Sequence, residues 1–154
     1  MRRIIMVPLM AAMGLLMTAG LIATTGLPAQ ASAYRMQISE IWYNSPGPDL
    51  GTNASLNNEW VQLHNTSGSY INLTGWTLRD KAGHVFVFGS YTIKPHGYVK
   101  IHTGHGSPTQ TDRYWNHSWY IWNNTGDTAI LKNQGGSTIG KCTYAGTSRG
   151  YAYC

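Results

Sequence analysis

Three groups of residues in this chain of 154 have types and spacings that could do chemistry. His102-Thr103-Gly104-His105 puts two imidazoles three positions apart. On a strand that spacing sends them to opposite faces, so both reach one zinc ion only if the chain turns at Gly104. No third ligand stands close by in sequence, and neither cysteine is near. Asp49, Asn53, Asn57 and Glu59 form the second group. They offer the hard oxygen ligands that calcium takes, but their spacing is not that of an EF-hand loop, and turn-rich segments collect Asn and Asp for conformational reasons alone. The chain therefore requires no cofactor, and calcium is the one cation this loop suits. The third group is aromatic. Tyr114, Trp115, Trp119, Tyr120 and Trp122 crowd one stretch, interleaved with Asn116, His117 and Ser118. Flat rings with a polar tip suit stacking on a glycan or anchoring a protein partner. Tyr114, Trp115, Trp119 and Trp122 are the predicted ligand-binding residues, against the plainer reading that they pack a loop on a sheet.

Catalytic constellations are scarce. No Gly-x-Ser-x-Gly elbow is present. Only six acidic residues exist, mostly beside turns, which leaves little for a paired-carboxylate hydrolase. Asp80 and Asp127 are read as turn acceptors of backbone N–H groups. The chain is thus read as no enzyme. The rival reading, an extracellular metal-dependent or carbohydrate-active hydrolase, needs a cleft joining His102, His105 and Asp112.

The elements that must position these groups are short strands. No stretch after residue 33 has helical periodicity. Runs of β-branched and aromatic residues alternate with Gly, Asn, Ser and Thr clusters instead. Strands are predicted over 36–43, 59–65, 71–73, 76–78, 84–88, 91–93, 98–102, 128–131 and 138–144. The apolar phase slips between Ile38 and Ile41, which predicts a β-bulge. Val61 and Leu63 share a face with Glu59, and Trp76 falls at a core position. Two long polar loops are expected, over 44–58 and 104–117. Eight or nine short strands without a repeat or linker predict one all-β domain, an immunoglobulin-like β-sandwich.

The N-terminus reads as an address. Arg2 and Arg3 precede an uncharged run from Ile4 to Leu27, and Ala31-Ser32-Ala33 is a small-x-small cleavage site. Residues 1–33 are predicted to be a cleaved signal peptide, leaving residues 34–154 as a secreted domain with no stable membrane insertion. Discounting Arg2 and Arg3 from the eleven basic residues leaves nine against six acidic ones, a net +3. So mild a charge does not favour nucleic acid. An oxidising compartment predicts a Cys142–Cys154 disulfide. It would close a loop of about a dozen residues, worth about 3 kcal/mol on the chain-entropy model. The five Asn-x-Ser/Thr sequons, at Asn53, Asn65, Asn72, Asn116 and Asn123, arise readily in so Asn- and Thr-rich a chain.

Several segments in order resemble the lamin tail domain, in its stand-alone bacterial secreted form. They are Ile38-x-x-Ile41-x-Tyr43-Asn44, Leu56-Asn57-x-Glu59-Trp60-Val61 and Leu73-x-Gly75-Trp76-x-Leu78-x-Asp80. Val99-x-Ile101-His102-Thr103-Gly104, Asp112-x-Tyr114-Trp115 and Trp122-Asn123-Asn124-x-Gly126-Asp127 follow. The resemblance implies an immunoglobulin-like sandwich acting as a non-catalytic binding or structural module, with an extracellular protein or glycan as partner. The sequence contains no coiled-coil rod and no companion enzyme domain, so the filament role of true lamins is not expected to carry over. Relatives commonly have a basic residue where His105 stands, which weakens a metal role for it.

Overall fold

The computed structural model describes residues 35–154; the predicted signal peptide lies outside the described residues. Eleven short strands and one helical turn alternate with loops. They are β1 (Met36–Trp42), α1 (Asn53–Asn57), β2 (Trp60–Asn65), β3 (Ile71–Asn72), β4 (Thr77–Arg79), β5 (Val85–Val87), β6 (Thr92–Ile93), β7 (Tyr98–His102), β8 (Asp112–Tyr114), β9 (Gly126–Lys132), β10 (Thr138–Ala145) and β11 (Tyr151–Tyr153). A five-stranded sheet runs β11-β1-β2-β7-β8, a four-stranded sheet runs β10-β9-β4-β5, and β3 pairs β6. All pairs are antiparallel except β7 with β8. This is the immunoglobulin-like sandwich, with its core between the two main sheets.

Period-two alternation fills that core. Val61, Leu63, Val99 and Ile101 reach it from one sheet and Leu78, Ala129 and Leu131 from the other, all fully buried. The bulge falls where the phase slip put it. The β1–β2 register shifts between Ile38 and Glu40, so Met36 and Ile38 face inward before it and Ile41 after it. Trp76 is core. Cys142 and Cys154 are bonded, with Cα atoms 5.6 Å apart, and the bridge ties β11 to β10 across the edges of the two sheets.

The turn acids behave as their positions predict. Asp80 Oδ1 accepts from the backbone N–H groups of Gly83 and His84, each at 2.7 Å. Asp127 Oδ1 accepts from those of Thr128 at 2.7 Å and Lys81 at 3.1 Å. Asn65 is a hub of the same kind. Its side chain donates to the carbonyls of Ser69 and Lys94 and accepts from Ser67. It is wholly buried, so this sequon offers no accessible glycan acceptor.

Two expectations need correction. Both long loops contain regular structure. The first holds α1, capped by Thr52, whose hydroxyl accepts from Ser55 N. The second holds β8, whose parallel pairing to β7 no local pattern announces. The C-terminal β11 was also unforeseen; it forms because the disulfide and the Cys154 N–H bond to Ser39 O hold it against β1.

Candidate binding surface

The four predicted ligand-binding rings do not form one patch. Trp122 is 2 % exposed and belongs to the core, which corrects its assignment to the surface. Trp115 packs against that core, edge-on to Trp122 with ring centroids 6.0 Å apart and 5.9 Å from Phe86. The reason is strand geometry. Tyr114 and Trp115 adjoin at the end of β8, so when one ring faces out the other faces in. Trp119 is 58 % exposed but stands apart on the connecting loop. It lies over Gly51, where any Cβ would collide with the indole, and edge-on to Tyr120. Only Tyr114 reaches an aromatic array on the outside of the domain.

That array spans the outer face of the five-stranded sheet. Register aligns Tyr151 with Trp42, Trp42 with Trp60, Trp60 with His102, and His102 with Tyr114. One ring comes from each of five strands, so the row is about 19 Å long at the usual strand spacing. Tyr151 and Trp42 stack with centroids 5.0 Å apart, Trp42 and Trp60 at 5.6 Å, and His102 and Tyr114 at 5.1 Å. Carbon surfaces touch at about 3.5–4 Å. Rings with these larger centroid separations overlap in offset fashion; Tyr151, Trp42, His102 and Tyr114 stay half-buried, while Trp60 at the middle of the row is 9 % exposed. Tyr153, 74 % exposed, meets Tyr151 edge-on.

A polar row runs beside the rings. Registered positions bring Tyr153 opposite Glu40, Glu40 opposite Gln62, Gln62 opposite Lys100 and Lys100 opposite Asp112. Trp42 Nε1 donates to Glu40 Oε1 at 2.7 Å. Lys100 Nζ sits 3.8 Å from the centre of the Trp60 ring, a cation–π contact. A notch of about 260 Å³ opens between Trp42, Pro46, Asn58, Trp60 and Lys100. Alternation in β2 already put Trp60 opposite to Glu59; the cross-strand partners were what sequence could not supply.

The proposed metal ligands are occupied separately. Asn53 Oδ1 accepts from the His105 N–H at 2.7 Å, and both Asn53 and Asn57 donate to the His105 carbonyl, at 3.0 and 2.9 Å. These side chains, one helical turn apart on α1, clamp the chain just after β7. Gly104 permits the approach, since a Cβ there would strike both amide oxygens. Asp49 accepts instead from Asn124 Nδ2 at 2.9 Å, and Glu59 points into the core. The four calcium candidates therefore do not gather into a shell. Among the described residues no three His, Cys, Asp or Glu side chains cluster as a metal site. His102 has one ring nitrogen 2.7 Å from the Asn57 carbonyl and the other 2.9 Å from Asp112 Oδ1, while His105 is exposed. Burial pushes the Asp112 carboxyl up, but the hydrogen bonds from His102, Thr111 and Thr109 outweigh it and hold the group below its ordinary range.

Glu59, a calcium candidate in the sequence, is a buried polar group in the fold. It is completely covered. Its Oε1 accepts from Thr103 Oγ1 at 2.6 Å and from the Ile121 N–H at 2.8 Å, and Oε2 has no hydrogen-bond partner. Desolvation dominates these bonds and raises its pKa to about 7. The carboxyl joins the start of β2, the end of β7 and the loop carrying the tryptophans, so it is structural in geometry.

Among the described residues no helix is long and apolar enough to cross a membrane. No curated protein matches the chain. The family model for the Lamin Tail Domain matches residues 29–146. With that match over most of its length, and an immunoglobulin-like sandwich of a kind associated with binding rather than catalysis, the chain belongs to the lamin tail domain family.

Proposed function

We propose that this is a secreted, non-catalytic binding module that holds an extracellular glycan on the outer face of its five-stranded sheet. The observation that carries the reading is the registered row Tyr151-Trp42-Trp60-His102-Tyr114 with a polar row at its side. Sugar rings present C–H faces and hydroxyl edges together. Partly uncovered aromatic faces complement the first, and Glu40, Gln62, Lys100 and Asp112 complement the second. Secretion draws support from the disulfide, which oxidising compartments favour, and from Ala31-Ser32-Ala33. A hydrolase has less support. His102 and Asp112 do pair, but the hydroxyls on the other oxygen of Asp112, from Thr109 and Thr111, are donors to it on an exposed turn, and among the described residues no third His, Cys, Asp or Glu joins the pair as a metal-ligand group.

The test is retention of the mature domain on insoluble peptidoglycan, chitin and cellulose. Wild-type protein should be retained on at least one. Trp42→Ala should lose at least tenfold in affinity, whereas Trp119→Ala should bind as wild type. Equal retention of both variants would sink the assignment. N-terminal sequencing of protein from culture fluid should begin at Tyr34; a chain starting at Met1 would contradict signal cleavage.

A further inference from the structure

The four edge strands of the two sheets are not equally protected. Exposed edges invite pairing with other chains, and charges, prolines, bulges or cross-links normally blunt them. On the five-stranded sheet, β8 carries Asp112 and Arg113, and β11 runs into the disulfide at Cys154. On the four-stranded sheet, β10 carries Lys141 and a register shift between Thr138 and Gly140. The remaining edge, β5, is Val85-Phe86-Val87, with none of these devices. Val85 and Val87 are 36 % and 58 % exposed.

The backbone of β5 is turned the right way for pairing. Phe86 lies opposite Leu78 in β4, and the flanking bonds run from Asp80 N to His84 O and from Phe88 N to Trp76 O. Residues 84, 86 and 88 thus turn their peptide groups toward β4. Alternation sends the N–H and C=O groups of Val85 and Val87 to the open side, and no described residue bonds them. Beyond that edge lies a cleft of about 520 Å³. Phe86, Val87 and Ser90 line it on the β5 side, and Gln110, Arg113 and Asn116 on the β8 side. Arg113 is the one charged residue lining it. Its guanidinium lies 4.0 Å from the centre of the Tyr91 ring and donates to the carbonyls of Thr109 and Asp112. No described carboxylate forms an ion pair with it.

We infer that this edge and cleft form a second binding site, which takes an extended acidic peptide segment as an added strand on β5. The free peptide groups of Val85 and Val87 supply a ladder, and the inward side chain of the added strand enters the cleft. A carboxylate on that side chain meets the pre-oriented Arg113, a charge-assisted pairing suited to a guanidinium fork. A second copy of this chain is a poorer occupant. Pairing β5 with β5 would bring in only Val85, Phe86 and Val87 and leave Arg113 without a counter-charge. A glycan would not use the regular backbone groups. The site is separate from the aromatic row and does not depend on it.

Panning the folded domain against a random seven-residue peptide library tests this. Selected peptides should share one Asp or Glu flanked by β-branched residues. Replacing that acid by its amide, or Arg113 by Gln, should weaken binding at least tenfold. Val87→Pro removes an N–H that the β4–β5 ladder does not use, and should also weaken binding at least tenfold. If Val87→Pro fails to fold, N-methylating alternate amides of the peptide asks the same question of the unaltered protein, and one of the two phases should abolish binding. Trp42→Ala should bind the peptides as wild type. The proposal is overturned if the library yields no acidic consensus, if binding tolerates both backbone changes, if soluble oligosaccharides displace the peptides, or if sedimentation shows a dimer that Val87→Pro dissociates.

Discussion

The interior and the outer face of this domain are both built from stacked rings, and they use them to different ends. Inside, Tyr43 and Tyr144 stack at 4.2 Å with planes 8° apart, and Trp115 meets Trp122 edge-on. Tyr43, Tyr144 and Trp122 are buried and Trp115 packs against them half-buried, so removing one of the buried rings leaves a cavity. Outside, Tyr151, Trp42 and Trp60 stack at 5.0 and 5.6 Å on a sheet whose other side is the core. Trp42 and Tyr151 are half-buried there, and Trp60 is buried beneath Trp42 and Lys100 rather than in the core, so removing an outer ring uncovers its neighbours more than it empties the interior. Aromatic density along the chain therefore does not mark a surface. Residues 114–122 hold the densest run of rings, yet it divides among core, sheet face and loop, while the registered row comes from five separate segments.

Trp122→Ala should break this comparison most sharply. A buried Trp cut to Ala costs about 3–5 kcal/mol, so the melting temperature should fall by on the order of 10 °C or more. Differential scanning calorimetry reads this directly, and a loss under about 1 kcal/mol would return Trp122 to the surface.

The next effect is proton-linked and belongs to the interior alone. Glu59 has a folded pKa raised from 4.5 to about 7. A raised acid stabilises the fold in its protonated form. That contribution is complete below about pH 4.5 and is lost as pH rises through about 7, an effect of about 3 kcal/mol at 1.36 kcal/mol per unit. Chemical denaturation between pH 4.5 and 8 should show stability falling, and Glu59→Gln should flatten the slope. Two other groups act differently. His64, held below its usual value by burial and by His96, favours the fold as pH rises past its range and opposes part of the slope. Asp112, held low, loses its contribution only below about pH 4, outside this window. Stability that rises with pH in wild type and in Glu59→Gln alike would exclude the linkage.

Reduction of Cys142–Cys154, or Cys154→Ser, should cost about 3 kcal/mol. Because the bridge anchors β11, hydrogen exchange should speed up at Tyr151–Tyr153 well before it does at β2 or β7. Uniform acceleration through the domain would mean that the bridge supports the core rather than the edge.

The smallest stability effects fall outside. Trp42→Ala removes two offset stacks at about 0.5–1.5 kcal/mol each, so about 2 kcal/mol is expected with the fold intact by circular dichroism. Trp119→Ala, on an exposed loop ring, should stay within about 0.5 kcal/mol of wild type. If Trp119 proved the costlier of the two, the division between row and loop would be drawn in the wrong place.

Much of the architecture was legible because its causes are local. The inward phase of Val61 and Leu63, the bulge after Ile38, and the turns built on Asp80 and Asp127 follow from pleat geometry and from short side chains that accept nearby N–H groups. The face that Glu59 shares with Val61 was legible as well, although its chemistry suggested a calcium ligand and not a covered carboxyl. The calcium candidates are apart in the fold for the complementary reason. Asn53 and Asn57 have the right chemistry for an ion, but their partner is the backbone of His105, 52 and 48 residues away. Sequence alternation puts Trp60 on the face opposite Val61 and Leu63 and says nothing about its neighbours Trp42 and Tyr151. Their alignment depends on register between strands far apart in the chain, set by closing loops and filling one core. Likewise, the unblunted edge at β5 is an edge only because no described strand pairs its side away from β4. Local sterics write the phase of each strand into its residues; which strands lie side by side is decided by long-range packing, and both binding surfaces proposed for this domain exist at that level.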